Sequence, residues 1–164
     1  MNPNDVSEFE AIRFPIMLYN SAVDRGAYYE FVNVFTPDAT VIICGDIRLE
    51  GRQAIIDGQT AGAKLRGAYE EGNMQRHNLG NSMINVVDSD HARALHYIQV
   101  TSELGHDHSG VYIDDLVREE GRWWIAKRRS NLEWARPDSR FFRHPGKVYM
   151  TPRSELDIGL YQDG

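Results

Sequence analysis

Apolar positions near the start of the chain, Phe9, Ile12, Phe14, Ile16, Met17 and Tyr19, recur at broadly helical spacing. They predict a helix over residues 6–25, opened by Ser7 and Glu10 as a capping box and closed by Gly26 after Asp24-Arg25. Pro15 interrupts the run, and a proline inside a helix removes one hydrogen bond, so a bend or break is expected there. A second short helix is predicted from Ala27 to Phe35, with Tyr28, Phe31, Val32 and Phe35 on one face. Thr36-Pro37-Asp38 reads as a turn, residues 39–44 as a buried strand, Gly45-Asp46 as another turn and residues 47–49 as a short return. Gly51-Arg52 precedes a helix carrying Ile55 and Ile56. Residues 58–73, with Gly58, Gly62, Gly67, Gly72 and several charges, read as a loop over a pocket.

The period changes to two near residue 75. Four strands are predicted, at 75–87, 92–104, 110–119 and 122–134, joined through Asp88-Ser89-Asp90, Gly105–His108 and Glu120-Gly121. Helices first and a meander of long strands afterwards define an α+β domain. The expected shape is a cone: a curved antiparallel sheet wrapped around the amino-terminal helices, with alternate residues of each strand facing inward. This domain spans residues 1–135. The tail, 136–164, carries Pro137, Pro145 and Pro152, yet it keeps Phe141, Phe142, Val148, Tyr149, Leu156, Ile158, Leu160 and Tyr161. Such a tail is expected to pack on its own body or on a neighbouring subunit.

Composition narrows the classes of function. The chain has 164 residues, enough for one domain with a core and a pocket. A formal charge of −6 argues against nucleic acid and against an anionic membrane surface. The single cysteine, Cys44, excludes an internal disulfide and lies in an apolar run, where it reads as a small buried hydrophobe rather than a nucleophile. No basic-then-apolar leader opens the chain, and no apolar run approaches the ~18 residues that span a bilayer. A cytoplasmic protein is expected, with no membrane or nucleic-acid partner.

Two polar residues stand out against this background. His77 sits at the mouth of the first long strand, and Asp24 at the end of the first helix. A carboxylate holding one imidazole nitrogen leaves the other able to move a proton near neutral pH. The two are therefore paired, across an otherwise apolar pocket. Tyr19 lies five residues before Asp24, roughly 140° around a straight helix, so both border one cavity only if the helix bends or points its end into the cone. His106-Asp107-His108 has the look of a metal pair but falls in a polar turn with no third ligand, so no metal or cofactor is expected. His96 and Tyr97 face opposite sides of one strand, and only one of them can see the pocket. Tyr112 shares a face with Asp114. On the last strand Trp124, Ala126, Arg128 and Ser130 form one face, and Trp123, Ile125, Lys127, Arg129 and Asn131 the other. There is no glycine-rich phosphate loop, nucleophile elbow or cysteine-based zinc pattern.

Several short segments together resemble a known family: Leu18-Tyr19 with Asp24-Arg25-Gly26, Phe35–Ala39 with Gly51-Arg52, Arg76-His77-Asn78, Gly110-Val111-Tyr112, and Gly121–Ile125 with Arg128. They are similar to the SnoaL-like branch of the nuclear-transport-factor-2-like superfamily over roughly residues 6–134. That superfamily includes scytalone dehydratase, bile-acid 7α-dehydratase, hexachlorocyclohexane dehydrochlorinase, polyketide cyclases and a diarylpropane lyase. The resemblance implies a cofactor-independent lyase, dehydratase-like and possibly cleaving a C–C bond, acting on a hydrophobic aromatic or polycyclic alcohol. It implies Asp24, His77 and Tyr19 as catalytic groups and Tyr97, Tyr112 and Asn131 as substrate-binding ones. An isomerase or cyclase, or a non-catalytic small-molecule-binding module, is the alternative. A homo-oligomer is expected, a trimer or else a dimer.

Overall fold

The computed structural model describes residues 3–139 and 150–160. The first helix, α1 (Pro3–Arg25), is continuous and neither breaks nor splits at Pro15. The reason is packing. Ile12, Ile16, Tyr19, Ala22 and Val23 form a buried stripe that continues on both sides of the proline. Each large apolar side chain contributes about 1.5–3 kcal/mol on burial, against about 3 kcal/mol for a mid-helix proline. Phe14 and Met17 lie on the exposed side. Gly26 ends the helix at φ 69°, and Ala27 N donates back to Ala22 O at 2.8 Å. The predicted second helix is a single 3-10 segment, Tyr28–Asn33.

Strand β1 (Phe35–Ile43) absorbs the predicted Thr36-Pro37-Asp38 turn, which lies where its pairing register breaks between Phe35 and Thr40. It is followed by β2 (Ile47–Glu50) and by helix α2 (Arg52–Leu65). The helix runs well into the segment predicted as a loop. Gly58 belongs to it because α2 crosses Leu49 closely: a Cβ there would stand 2.9 Å from Leu49 Cδ2.

The meander follows as β3 (Gln75–Val86), β4 (His91–Ser102), β5 (Gly105–Glu119) and β6 (Arg122–Ala135). The turn between β4 and β5 is Glu103-Leu104, so Gly105–His108 is strand rather than turn. Strand order across the single sheet is β2-β1-β6-β5-β4-β3. All pairs are antiparallel except β1 with β6, which is parallel.

Several bulges interrupt the pairing, and two of them bear on the side chains that face inward near the site. Val100 pairs with His108 and Thr101 with His106, leaving Asp107 as the extra residue of β5. Asp115 pairs with Lys127 and Leu116 with Ile125, leaving Ala126 extra in β6. The second bulge overturns the simple alternation along β6: buried Trp123 and Ile125 share the inner face with Arg128.

The main core lies between α1, the 3-10 segment, β1, α2 and the concave face of the sheet. A smaller cluster sits on the outer face, where Leu95, Val111 and Ile113 meet Met83, Leu156 and Ile158. Residues 150–160, with the short helix α3 (Arg153–Leu156), thus lie against the chain's own sheet. Asn85 Nδ2 donates to Ile158 O at 2.9 Å, and Arg129 pairs with Glu155 at 3.2 Å. Phe141, Phe142, Val148, Tyr149 and Tyr161 fall outside the described residues. Among the described residues, no helix is long and apolar enough to cross a membrane.

Candidate active site

A cavity of about 160 Å³ opens on the concave side of the sheet. Its walls include Tyr19, Val23, Gln59, Arg66, His77 and His108, with Ile98, Tyr112, Ser130, Asn131 and Leu132 among the residues of the far side. The end of α1 brings Tyr19 to it, α2 and the residue just past it bring Gln59 and Arg66, and β3 and β5 bring the two histidines.

Asp24 and His77 meet through two kinds of contact. His77 Nδ1 lies 2.7 Å from Asp24 Oδ1, and the backbone N–H of His77 donates to both carboxylate oxygens at 3.1 Å. Both side chains are largely buried. With Nδ1 protonated toward the carboxylate, Nε2 keeps its lone pair. Among the described residues Nε2 has no protein partner, and the ring borders the cavity. Asp24 does not stand across the pocket. It sits behind the imidazole, on the rim of a separate surface depression with Arg13, Arg25 and Arg76. The sequence brings it there because Gly26 stops α1 one turn past the buried stripe, at the mouth of β3.

Tyr19 is buried, stacked on Phe31 at 4.8 Å and edge-on to Phe35 and Tyr112 at 5.8 Å each. Its hydroxyl accepts from Gln59 Nε2 at 3.5 Å. Burial raises its pKa, offset in part by Arg128, so the phenol stays protonated and able to donate. Tyr112 borders the same cavity and is raised well above the ordinary value, chiefly by burial. α1 need not bend to bring Tyr19 and Asp24 together: Tyr19 faces the cavity, and Asp24 reaches it only through His77.

The other two expected substrate contacts are placed differently: Asn131 borders the cavity and Tyr97 does not. Tyr97 pairs with Val111 on the outer face and is 39% exposed, because His96, its neighbour in β4, takes the inward position opposite Tyr112. Asn131 pairs with Val111, and its side-chain amide donates to Thr151 Oγ1 at 3.3 Å, toward the tail. Simple strand parity turns Tyr97 outward, and the bulge at Ala126 turns the Asn131 side chain outward.

The sequence reading weighs His108 only as a metal ligand in a turn and passes over Arg66. The bulge at Asp107 buries that carboxylate, which accepts from Ser139 Oγ at 2.6 Å and contacts His108 Nδ1 at 2.7 Å. The His108 ring packs edge-on to His77 with centroids 6.5 Å apart. Burial lowers the His108 pKa, with Asp107 opposing, so the ring is neutral at pH 7. The sequence signal for this second pair is the Asp-His doublet itself, which the expected turn concealed. Cys44 also borders the cavity, at φ 50°, and burial raises its thiol pKa, which disfavours the thiolate a nucleophile needs. Among the described residues no group of His, Cys, Asp and Glu is arranged to hold a metal ion.

This fold and this cavity are those of a cone-shaped α+β domain built around a small-molecule pocket. The SnoaL-like domain family matches residues 4–129, and the chain belongs to that family, which includes isomerases, cyclases and dehydratases. No curated protein matches the chain. Among solved structures, it is similar to a candidate scytalone dehydratase from Novosphingobium aromaticivorans, with TM-score 0.67 and 20% identity over 80% of this chain and 88% of that one. An NTF2-like protein with a cystatin-like fold from the same organism gives TM-score 0.67 and 22% identity, over 84% and 89% of the two chains. A protein of unknown function from Mycobacterium tuberculosis gives TM-score 0.66 and 23% identity, over 90% and 85%. At these identities the likeness is one of fold.

Proposed function

We propose that the protein is a cofactor-independent lyase of the dehydratase type, acting on a hydrophobic aromatic alcohol. The observation that carries this reading is the 2.7 Å contact holding His77 Nδ1 on Asp24 while the same ring borders the cavity. Nε2 takes a proton from the carbon next to the carbinol carbon. The C–H electron pair becomes the new double bond, and the C–O bond breaks. The imidazolium, stabilised by Asp24, returns its proton to the departing hydroxyl, so water leaves and the ring is restored. Tyr19 donates a hydrogen bond to the oxygen on which charge grows. Asp24 is a positioning residue, since it touches His77 and not the cavity.

A second reading is favoured by His108 beside His77. One imidazole could remove a proton and the other return it elsewhere on the substrate, which is isomerisation without loss of water. One experiment separates the two: a panel of hydroxylated aromatic compounds incubated in D₂O and followed by mass spectrometry. Loss of water supports the lyase. Deuterium uptake with the water retained supports the isomerase. Turnover that survives His77→Ala within a few-fold would remove both mechanisms, and no turnover of any compound would leave a binding module.

A further inference from the structure

Arg66, just past the end of α2, is the cation of the cavity wall. Most arginines with described side chains have an acceptor: Arg13, Arg25, Arg48, Arg93, Arg118, Arg128, Arg129 and Arg136 pair with carboxylates, and Arg52, Arg76 and Arg122 donate to carbonyl oxygens. The Arg66 side chain has neither among the described residues, and its Nε is buried with no partner. That is conspicuous in a chain with 24 acidic residues against 18 basic ones. Room is made for the guanidinium at Gly62, where a Cβ would lie 3.0 Å from its terminal nitrogen. Gln59, seven residues earlier on the same helix face, and Gln75 border the cavity beside it. A guanidinium partly withdrawn from water needs a counter-charge, and its planar fork matches a carboxylate.

We propose that Arg66 anchors a carboxylate of the ligand, so that the substrate alcohol is also an aromatic acid of a single ring and not a neutral polycyclic compound. The cavity volume agrees: about 160 Å³ is close to the ~150 Å³ of an engineered cavity that takes one benzene molecule. The two glutamine amides add donors for the anion, and the walls formed by Val23, Ile98 and Leu132 take the ring. This substrate class rests on the reading of the cavity as the reaction site.

Calorimetric titration of the intact protein with benzoate and with benzamide, its uncharged isostere, tests the assignment. Benzoate binds the native protein about tenfold or more tightly than benzamide, as expected for one charge-assisted bidentate contact. Arg66→Gln removes that preference and keeps the native circular dichroism. Arg66→Lys keeps part of the preference, and added salt weakens benzoate alone. Failure of benzoate to bind, equal affinity for the two probes, or a preference that persists in Arg66→Gln overturns the proposal. His77→Ala, carried in parallel, retains the benzoate preference. The anion site and the acid-base mechanism can therefore fail separately: the first in the titrations, the second in turnover.

Discussion

Arg128 donates to both carboxylate oxygens of Asp114, from Nε at 2.7 Å and from a terminal nitrogen at 2.8 Å, and neither side chain has any exposed surface. The guanidinium also lies 4.2 Å from the ring centre of Tyr19 and 4.3 Å from that of Tyr112. Burial alone would lower the Arg128 pKa, but Asp114 reverses the shift and holds it above the ordinary value. A paired charge of this kind is costly to break from one side. Arg128→Met is expected to lose about 3–5 kcal/mol, because Asp114 is left buried and unpaired, whereas the double variant Arg128→Met/Asp114→Leu should lose less. Denaturant unfolding of the three proteins checks the order. A double variant weaker than Arg128→Met would show that the pair stabilises the fold outright.

His96 has no exposed surface, and neither ring nitrogen has a hydrogen-bond partner. Burial, reinforced by Arg128 and Arg13 and opposed by Asp114, lowers its pKa from 6.5 to about 4. Between those values the unfolded chain binds a proton that the folded chain does not. Stability therefore rises with pH across this window and falls as acid is added, by about 2–3 kcal/mol near the lower end. His96→Phe should flatten that slope while keeping stability at neutral pH, which unfolding curves at pH 7 and near pH 4 would read directly.

Gly110 lies where β5 meets β6 at closest approach: a Cβ there would stand 2.1 Å from the carbonyl oxygen of Asn131. Backbone cannot yield as a side-chain tip can. Gly110→Ala is expected to destabilise the protein by about 1–3 kcal/mol. Since Ser130, Asn131 and Leu132 border the cavity, it should also weaken benzoate binding. A melting temperature equal to the native one would contradict both expectations.

Once a substrate is found, His77→Ala and Asp24→Asn should each lower kcat by about 10²- to 10⁴-fold while the protein stays folded. The losses should not multiply in the double variant, because the two side chains act as one unit. A chelator should leave turnover unchanged. Multiplying losses would mean that Asp24 acts on something other than His77.

We further propose that the protein assembles as a homotrimer through the outer face of its sheet. The support is apolar surface: Tyr97 and Trp134 are 39% and 45% exposed. Light scattering at micromolar concentration should return three times the chain mass, and a monomer mass would dispose of the idea.

The helical period up to Arg25 and the alternation from Gln75 onward make the α+β cone legible in the sequence. The contact between Asp24 and His77 is legible too, because a buried carboxylate needs a partner. What the sequence conceals is of two kinds. Bulges at Asp107 and Ala126 add one residue to one strand, which shifts every later side chain to the other face, and no residue type announces them. The extent of α2 past Gly58 depends on Leu49 packing beneath it, a contact between separate elements. The same is true of Pro15, whose local cost is outweighed by the buried stripe around it.

The parallel pairing of β1 with β6 bears on how the domain comes to exist. The hairpins from β3 to β6 close through short turns, whereas Thr40 meets Lys127 across 87 positions of chain. Local contacts form sooner than distant ones, so the four-strand meander is expected to fold first and β1 to dock late. Ile43, at the end of β1, pairs with Ser130 of β6, Cys44 just beyond it donates to the Ser130 carbonyl at 2.8 Å, and together with Leu132 they border the cavity. A chain caught before β1 docks would carry most of its sheet and yet have no binding site. In stopped-flow refolding, recovery of the benzoate signal should therefore lag behind the far-ultraviolet signal of the strands.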